Sequence, residues 1–181
     1  MAKRTVMMLF FALFFLNGCG GGGPDAGLLS YTSVIKTEKI NAELAKVTPI
    51  SRRSTFGSFR INRAAIQPGK SGDRVILLTQ FSLTTFEIPE GVDGSLMASC
   101  GLRYDPKTKQ IFLTDIRPGR IQFANASLAE YVSKGARQGI GSIVQKVFGD
   151  IPIYQMDSSF GAKFVKKVGV HKGNIVIVYG L

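Results

Sequence analysis

The sequence predicts an α+β fold: a long amphipathic helix held in a strongly curved antiparallel β-sheet, with two shorter helices. Three observations predict it. Residues 127–148 (SLAEYVSKGARQGIGSIVQKVF) form the one long stretch with helical periodicity, with Leu128, Val132, Ala136, Gly139, Ile140, Ile143 and Val147 on one arc and Glu130, Lys134, Arg137, Gln138 and Gln145 opposite. The β-type segments run in hairpin order instead of alternating with helices. One of them, residues 74–88, is long enough to curl around something.

Taken in order, residues 28–36 lean towards strand, and Thr37 is placed to cap a short helix over 38–47 with Ile40, Leu44 and Val47 on one face. Residues 48–54 read as a loop carrying Arg52 and Arg53, 56–67 as a strand, and the Pro68-to-Asp73 cluster as a turn. Along 74–88, Val75, Leu77, Phe81 and Leu83 share one face, and Ile76, Leu78, Phe86 and Ile88 the other. Residues 95–104 alternate cleanly, Leu96, Ala98, Cys100, Leu102 and Tyr104 on the apolar side. A hairpin loop at 105–109 leads to a strand over 110–123, interrupted at Pro118-Gly119.

The helix over 127–148 starts with Ser127 and Glu130 at capping-box spacing and stops before Gly149; its length would be roughly 33 Å. A connection over 151–156 bends at Pro152. Ser158 or Ser159 can cap a second short helix bearing Phe160, Phe164, Val165 and Val168. Residues 169–173 turn the chain, and 174–181 (NIVIVYGL) close it as a buried strand.

The first 18 residues read as a leader. Lys3 and Arg4 precede an apolar run at 6–16 (VMMLFFALFFL) that is too short for a membrane span of about 20 residues. The run ends in Leu16-Asn17-Gly18-Cys19, which resembles the lipobox of bacterial lipoproteins. That resemblance implies a lipidated Cys19 carrying acyl chains, palmitate among them. Gly20 where an aspartate would retain the protein at the inner membrane implies an outer-membrane anchor facing the periplasm. Each buried methylene contributes about 0.8 kcal/mol, so more than one acyl chain holds firmly. Residues 19–27 then form a glycine-rich tether, and 28–181 a single domain.

Composition narrows the function classes. Of 181 residues 45% are apolar, enough for a real core. With Cys19 lipidated, Cys100 is left alone on the apolar side of its strand, so an inert buried thiol is expected and no disulfide. Removing Lys3 and Arg4 from the 23 Lys+Arg leaves 21 against 12 Asp+Glu, a basic surface. Behind an export signal, anionic headgroups or envelope polymers are more accessible partners than nucleic acid.

Catalytic patterns are missing. Residues 64–71 (AAIQPGKS) nearly match a phosphate-binding loop, but Ala64 replaces its first glycine and a strand follows where a helix is needed. His171 stands alone beside Lys172 in a turn, without partners spaced for zinc. Asn125-Ala126-Ser127 reads as a helix cap. No enzyme activity, cofactor, metal or nucleic-acid partner is expected.

Four stretches, 31–46 (YTSVIKTEKINAELAK), 111–119 (IFLTDIRPG), 152–154 (PIY) and 173–181 (GNIVIVYGL), resemble in order and spacing the YceB-like bacterial lipoproteins, a family of unknown function. That family is similar in fold to the tubular lipid-binding domains, in which an acyl chain occupies the groove between a long helix and a curved sheet. The resemblance implies the fold, and lipid binding by analogy. Ala136 and Gly139 leave the helix thin at mid-length, which is room for an acyl chain or a site of close packing. The expected ligand-binding residues are therefore Phe81, Leu83, Leu96 and Ala98 on the strands, with Val132, Ala136, Gly139 and Ile143 on the helix. The ligand would be a phospholipid or fatty acyl chain. The alternative is a tethered module that binds an envelope protein or anionic polymer through its basic surface.

Overall fold

Six strands pair in sequence order into one antiparallel sheet that curls into a half-barrel. The computed structural model describes residues 30–55, 57–69, 73–132, 134–156 and 160–180. The leader at 1–18 and the tether at 19–27, Cys19 included, lie outside the described residues. The half-barrel is built from β2 (Ile50–Ser54), β3 (Gly57–Pro68), β4 (Val75–Thr84), β5 (Val92–Asp105), β6 (Gln110–Phe123) and β7 (Pro152–Gln155), in that order. A second sheet has the order β1-β9-β8, from β1 (Ser30–Ile35), β8 (Val165–His171) and β9 (Asn174–Gly180). Helix α1 (Thr37–Val47) packs against β3 and β7, α3 (Lys134–Asp150) against β6, and β8 lies over β5.

Strict alternation sets the inner face of the half-barrel. Val75, Leu77, Phe81 and Leu83 on β4 are buried, as are Val92, Leu96, Ala98 and Cys100 on β5. They meet Phe59, Ile61, Ala64 and Ile66 of β3, Ile40 and Leu44 of α1, and Ile140, Val144 and Phe148 of α3 in one core. Phe86 and Ile88, expected to extend the other face of β4, lie beyond its end. Ile88 is buried, and Phe86 is 92% exposed.

Helix α1 is stitched to β3 by one side chain. Asn41 Nδ2 donates to the Ile66 carbonyl at 3.2 Å, and Asn41 Oδ1 accepts from the Ile66 N–H at 2.7 Å. The helix begins at Thr37 itself; Lys36 is its N-cap and provides no side-chain cap bond, so the expected Thr37 cap is not formed. Between β8 and β9, Lys172 and Gly173 both take positive φ, 48° and 74°. That backbone matches the twist of the flanking strands in a two-residue hairpin.

The expected long helix is overturned. Among the described residues the fold is mostly β, with only short helices. Residues 127–148 divide into α2 (Ala126–Tyr131) and α3 of 17 residues. One side chain occupies the carbonyls at the break. Arg137 Nη2 donates to the Ala129 carbonyl at 2.6 Å and its Nε to the Val132 carbonyl at 3.2 Å. In a continuous helix those oxygens would accept main-chain N–H groups four residues on. The Ala129 carbonyl also takes the Val132 N–H at 3.2 Å, a tightened last turn. Asn125, not Ser127, opens α2: its Oδ1 accepts from the Ser127 N–H at 3.0 Å.

Four further expectations change. The loop read at 48–54 contains β2, and 151–156 contains β7. The second short helix is reduced to a 3-10 turn (Phe160–Phe164), after which Val165–His171 is strand β8; Ser158 and Ser159 lie outside the described residues. Backbone pairing to β9, from Val165↔Tyr179 to His171↔Asn174, overrides the apolar spacing that suggested a helix. Strand β6 runs through Pro118-Gly119 and accommodates the interruption as register shifts against β5.

Candidate functional site

The structure brings most of the expected site residues together, and they meet as core. Phe81, Leu83, Leu96, Ala98, Val132 and Ala136 are all at most 6% exposed. Gly139 is half-buried, and Ile143 packs half-buried on the edge of the same cluster. The sheet residues are lined up by register, Thr79↔Leu96, Leu77↔Ala98, Phe81↔Gly94 and Leu83↔Val92. The Phe81 ring lies 5.1 Å from that of Phe59 and meets Phe123 edge-on at 5.9 Å. Thr79, the buried polar residue in this row, donates its hydroxyl to the Leu96 carbonyl at 3.3 Å.

Helix α3 packs closely on the sheet at Gly141. A Cβ there would touch the Pro118 ring at 3.1 and 3.2 Å, so α3 and β6 approach closely at that point. Val144 and Phe148, fully buried on α3, belong to the same apolar face and were absent from the expected arc. Their side chains lie on the flank that faces β6 once the helix is restarted at Lys134.

Space opens at one end of this cluster. Where the gap between α2 and α3 comes up to the β4–β5 loop, a hollow of about 100 Å³ is lined by Thr55, Thr85, Phe86, Glu87, Tyr131, Val132 and Ala136. Val132 and Ala136 form its buried floor. Phe86 and Tyr131, 92% and 65% exposed, stand at its rim. Thr85 holds the loop, its Oγ1 accepting the Ile88 N–H at 3.1 Å. The sequence signal for this hollow was the small Ala136; the rim aromatics were missed because Phe86 was read as part of a strand face.

Cys100 is a free, buried thiol that burial pushes up to about 11, outweighing the lowering effect of the Arg74 guanidinium. His171 is exposed at the β8–β9 turn. Residues 64–68 of the phosphate-loop-like stretch are strand, and Ser71 lies outside the described residues. Among the described residues, no group of three His, Cys, Asp or Glu could hold a metal ion.

No curated protein matches the chain. One family model does, over residues 35–173, and it takes in every expected ligand-binding residue. The match agrees with the resemblance to a YceB-like family of unknown function, while the long helix expected from the tubular lipid-binding domains is missing. On this match the chain belongs to the DUF1439 family, proteins of unknown function.

Proposed function

We propose that this chain is an envelope lipoprotein, anchored to the outer membrane through Cys19, whose periplasmic domain takes the end of an acyl chain or another apolar ligand between α3 and the curled sheet. The observation that carries the reading is the hollow over Val132 and Ala136 with Phe86 and Tyr131 exposed at its rim. Two large solvated aromatics beside a buried apolar floor favour an apolar occupant, whose burial removes both from water. A hollow of about 100 Å³ takes a chain terminus and not a whole lipid. The lipobox and the glycine-rich tether support the anchor.

The test uses the full chain with Cys19→Ser, so that no attached acyl chain competes. A fluorescent fatty acid should bind and be displaced by palmitate. Ala136→Phe should fill the hollow and sharply reduce binding, while the melting temperature holds or rises. A clear drop in melting temperature, with no lipid copurifying with Cys19→Ser and no probe bound, would refute ligand binding. In cells, Cys19→Ser should no longer fractionate with the outer membrane; unchanged partitioning rules out the anchor.

A further inference from the structure

The outer face of the half-barrel carries a second cavity of different chemistry. Its volume is about 330 Å³, within the range of small-molecule sites. Two rows of side chains converge on it. Register places Gln80 opposite Ser95 and Ser95 opposite Gln122, a row across β4, β5 and β6. In the next row Ser82 stands opposite Asp93. The irregularity between Ile61 and Arg63 leaves Asn62 outside the β3–β4 pairing, and its side chain reaches Ser82.

The second row is fixed internally. Asn62 Nδ2 donates to Ser82 Oγ at 2.7 Å, and Ser82 Oγ donates to Asp93 Oδ1 at 2.6 Å. The Ser82 hydroxyl is thereby committed, while the Asn62 carbonyl oxygen and Asp93 Oδ2 remain to accept from a ligand. Among the described residues the side chains of Gln80, Ser95 and Gln122 make no hydrogen bond, so their donors and acceptors face solvent in an array held by three paired strands.

We propose that this cavity binds a saccharide. Three amides, a hydroxyl and a carboxylate offer mixed donors and acceptors at close spacing. Vicinal sugar hydroxyls and acetamido groups, each donor and acceptor at once, match that mixture. Neither lysine, arginine nor histidine lines the cavity, which removes the driving force for a phosphate or another small anion. Among the described residues no group of three His, Cys, Asp or Glu stands close enough to hold a metal ion. The polar walls disfavour the apolar occupant proposed for the hollow at Ala136. Phe123, half-buried and packed edge-on against Phe81, is among the lining residues.

The experiment is amide NMR of the full chain with Cys19→Ser, titrated with N-acetylglucosamine tetramer and, separately, with a glucose tetramer. Binding should shift the backbone amides of Gly94, Ser95 and Gln122 and the side-chain amides of Asn62, Gln80 and Gln122. The paired variant Gln80→Ala with Gln122→Ala, both exposed on the outer face, should weaken binding about tenfold without changing the melting temperature. Ala136→Phe should leave it unaltered, so failure here and failure at the hollow are separable. If neither saccharide moves these amides at millimolar concentration, or the paired variant binds as the parent does, the proposal is overturned.

Discussion

Arg74 holds Asp115 by both its side chain and its main chain. Its Nη1 donates to the carboxylate at 2.7 Å and its Nη2 to the Asp115 carbonyl at 2.6 Å, with a further bond from Nη2 to the Ser99 carbonyl at 2.8 Å. Asp115 has a φ of 45°, at the register shift between β5 and β6. Aspartate is one of the few residues that tolerate that backbone, and here a guanidinium from β4's threshold braces it. A second cation, Arg117, lies 2.7 Å from the same carboxylate oxygen as Arg74.

The first prediction concerns pH. Hydrogen bonds from Arg74 and then Arg117 hold the Asp115 carboxyl below its ordinary value of 3.8. A carboxylate lowered on folding contributes stability above the unfolded value and loses it as pH falls through the folded one. Asp115→Asn should therefore melt below the parent at neutral pH, and the gap should close as pH drops below about 3.8. A gap that stays constant to pH 2 would mean the carboxylate charge is not what braces the bulge.

Glycine positions offer an opposed pair. A Cβ at Gly94 would lie 2.6 Å from the Phe81 ring and 2.7 Å from the Gln122 carbonyl, so main chain as well as side chain must move. Gly94→Ala should cost roughly 1–3 kcal/mol in chemical denaturation. At Gly149, in the last turn of α3, nothing lies within 4 Å of the added carbon. Gly149→Ala should be neutral or stabilise by up to about 1 kcal/mol.

Cys100 should be silent in the folded chain. It is fully buried and its thiol is pushed up to about 11, so the thiolate needed for alkylation is scarce as well as inaccessible. Mass spectrometry of the Cys19→Ser chain after iodoacetamide near pH 8 should find Cys100 unmodified, and fully modified in denaturant. Rapid native labelling would show that β4 and β5 open locally.

Arg137 should control the break between α2 and α3. Besides its two carbonyl bonds, its guanidinium lies 5.1 Å from the Phe123 ring centre. Arg137→Met keeps the apolar stem and strips the donors, at a cost of roughly 1–3 kcal/mol. Hydrogen exchange at Val132 should accelerate relative to the core strands. Unchanged exchange would remove Arg137 as the cause of the break.

Much of the curled sheet was legible because alternation is a strong, local signal. Leu96, Ala98 and Cys100 on β5 and Leu77, Phe81 and Leu83 on β4 face inward as their spacing demands. The strand Asn174–Gly180 and the hairpin at Lys107 follow equally directly. What escaped was decided by partners distant in sequence. Of the described side chains of strand β2 only Ile50 is buried, and the strand exists because its main chain pairs with β3. Lys166, Lys167 and Gly169 gave no strand signal; β9 supplies the pairing. The helix break was hidden because apolar periodicity continues from Val132 to Ala136, while the carbonyls at the break are met by a polar side chain one position beyond. The candidate site shared this fate: convergence of the eight residues followed from their faces, but whether they enclose space or one another depends on rotamers and neighbours that periodicity does not encode.

The pairing of β1 with β9 has a consequence for the order in which the molecule is made. Ser30 finds its partner at Gly180 and Ile35 at Ile175, so the first described strand waits for nearly the whole chain to be synthesised. Strand β8 waits for the same partner. Until residues 174–180 have left the ribosome, the smaller sheet has no centre, and the half-barrel lacks the layer that β8 lays over β5. Such long-range closure delays folding, because the entropy of a large loop must be overcome before any contact rewards it. Strands β2 to β7 can pair in order as they emerge, but the smaller sheet closes only once β9 is made.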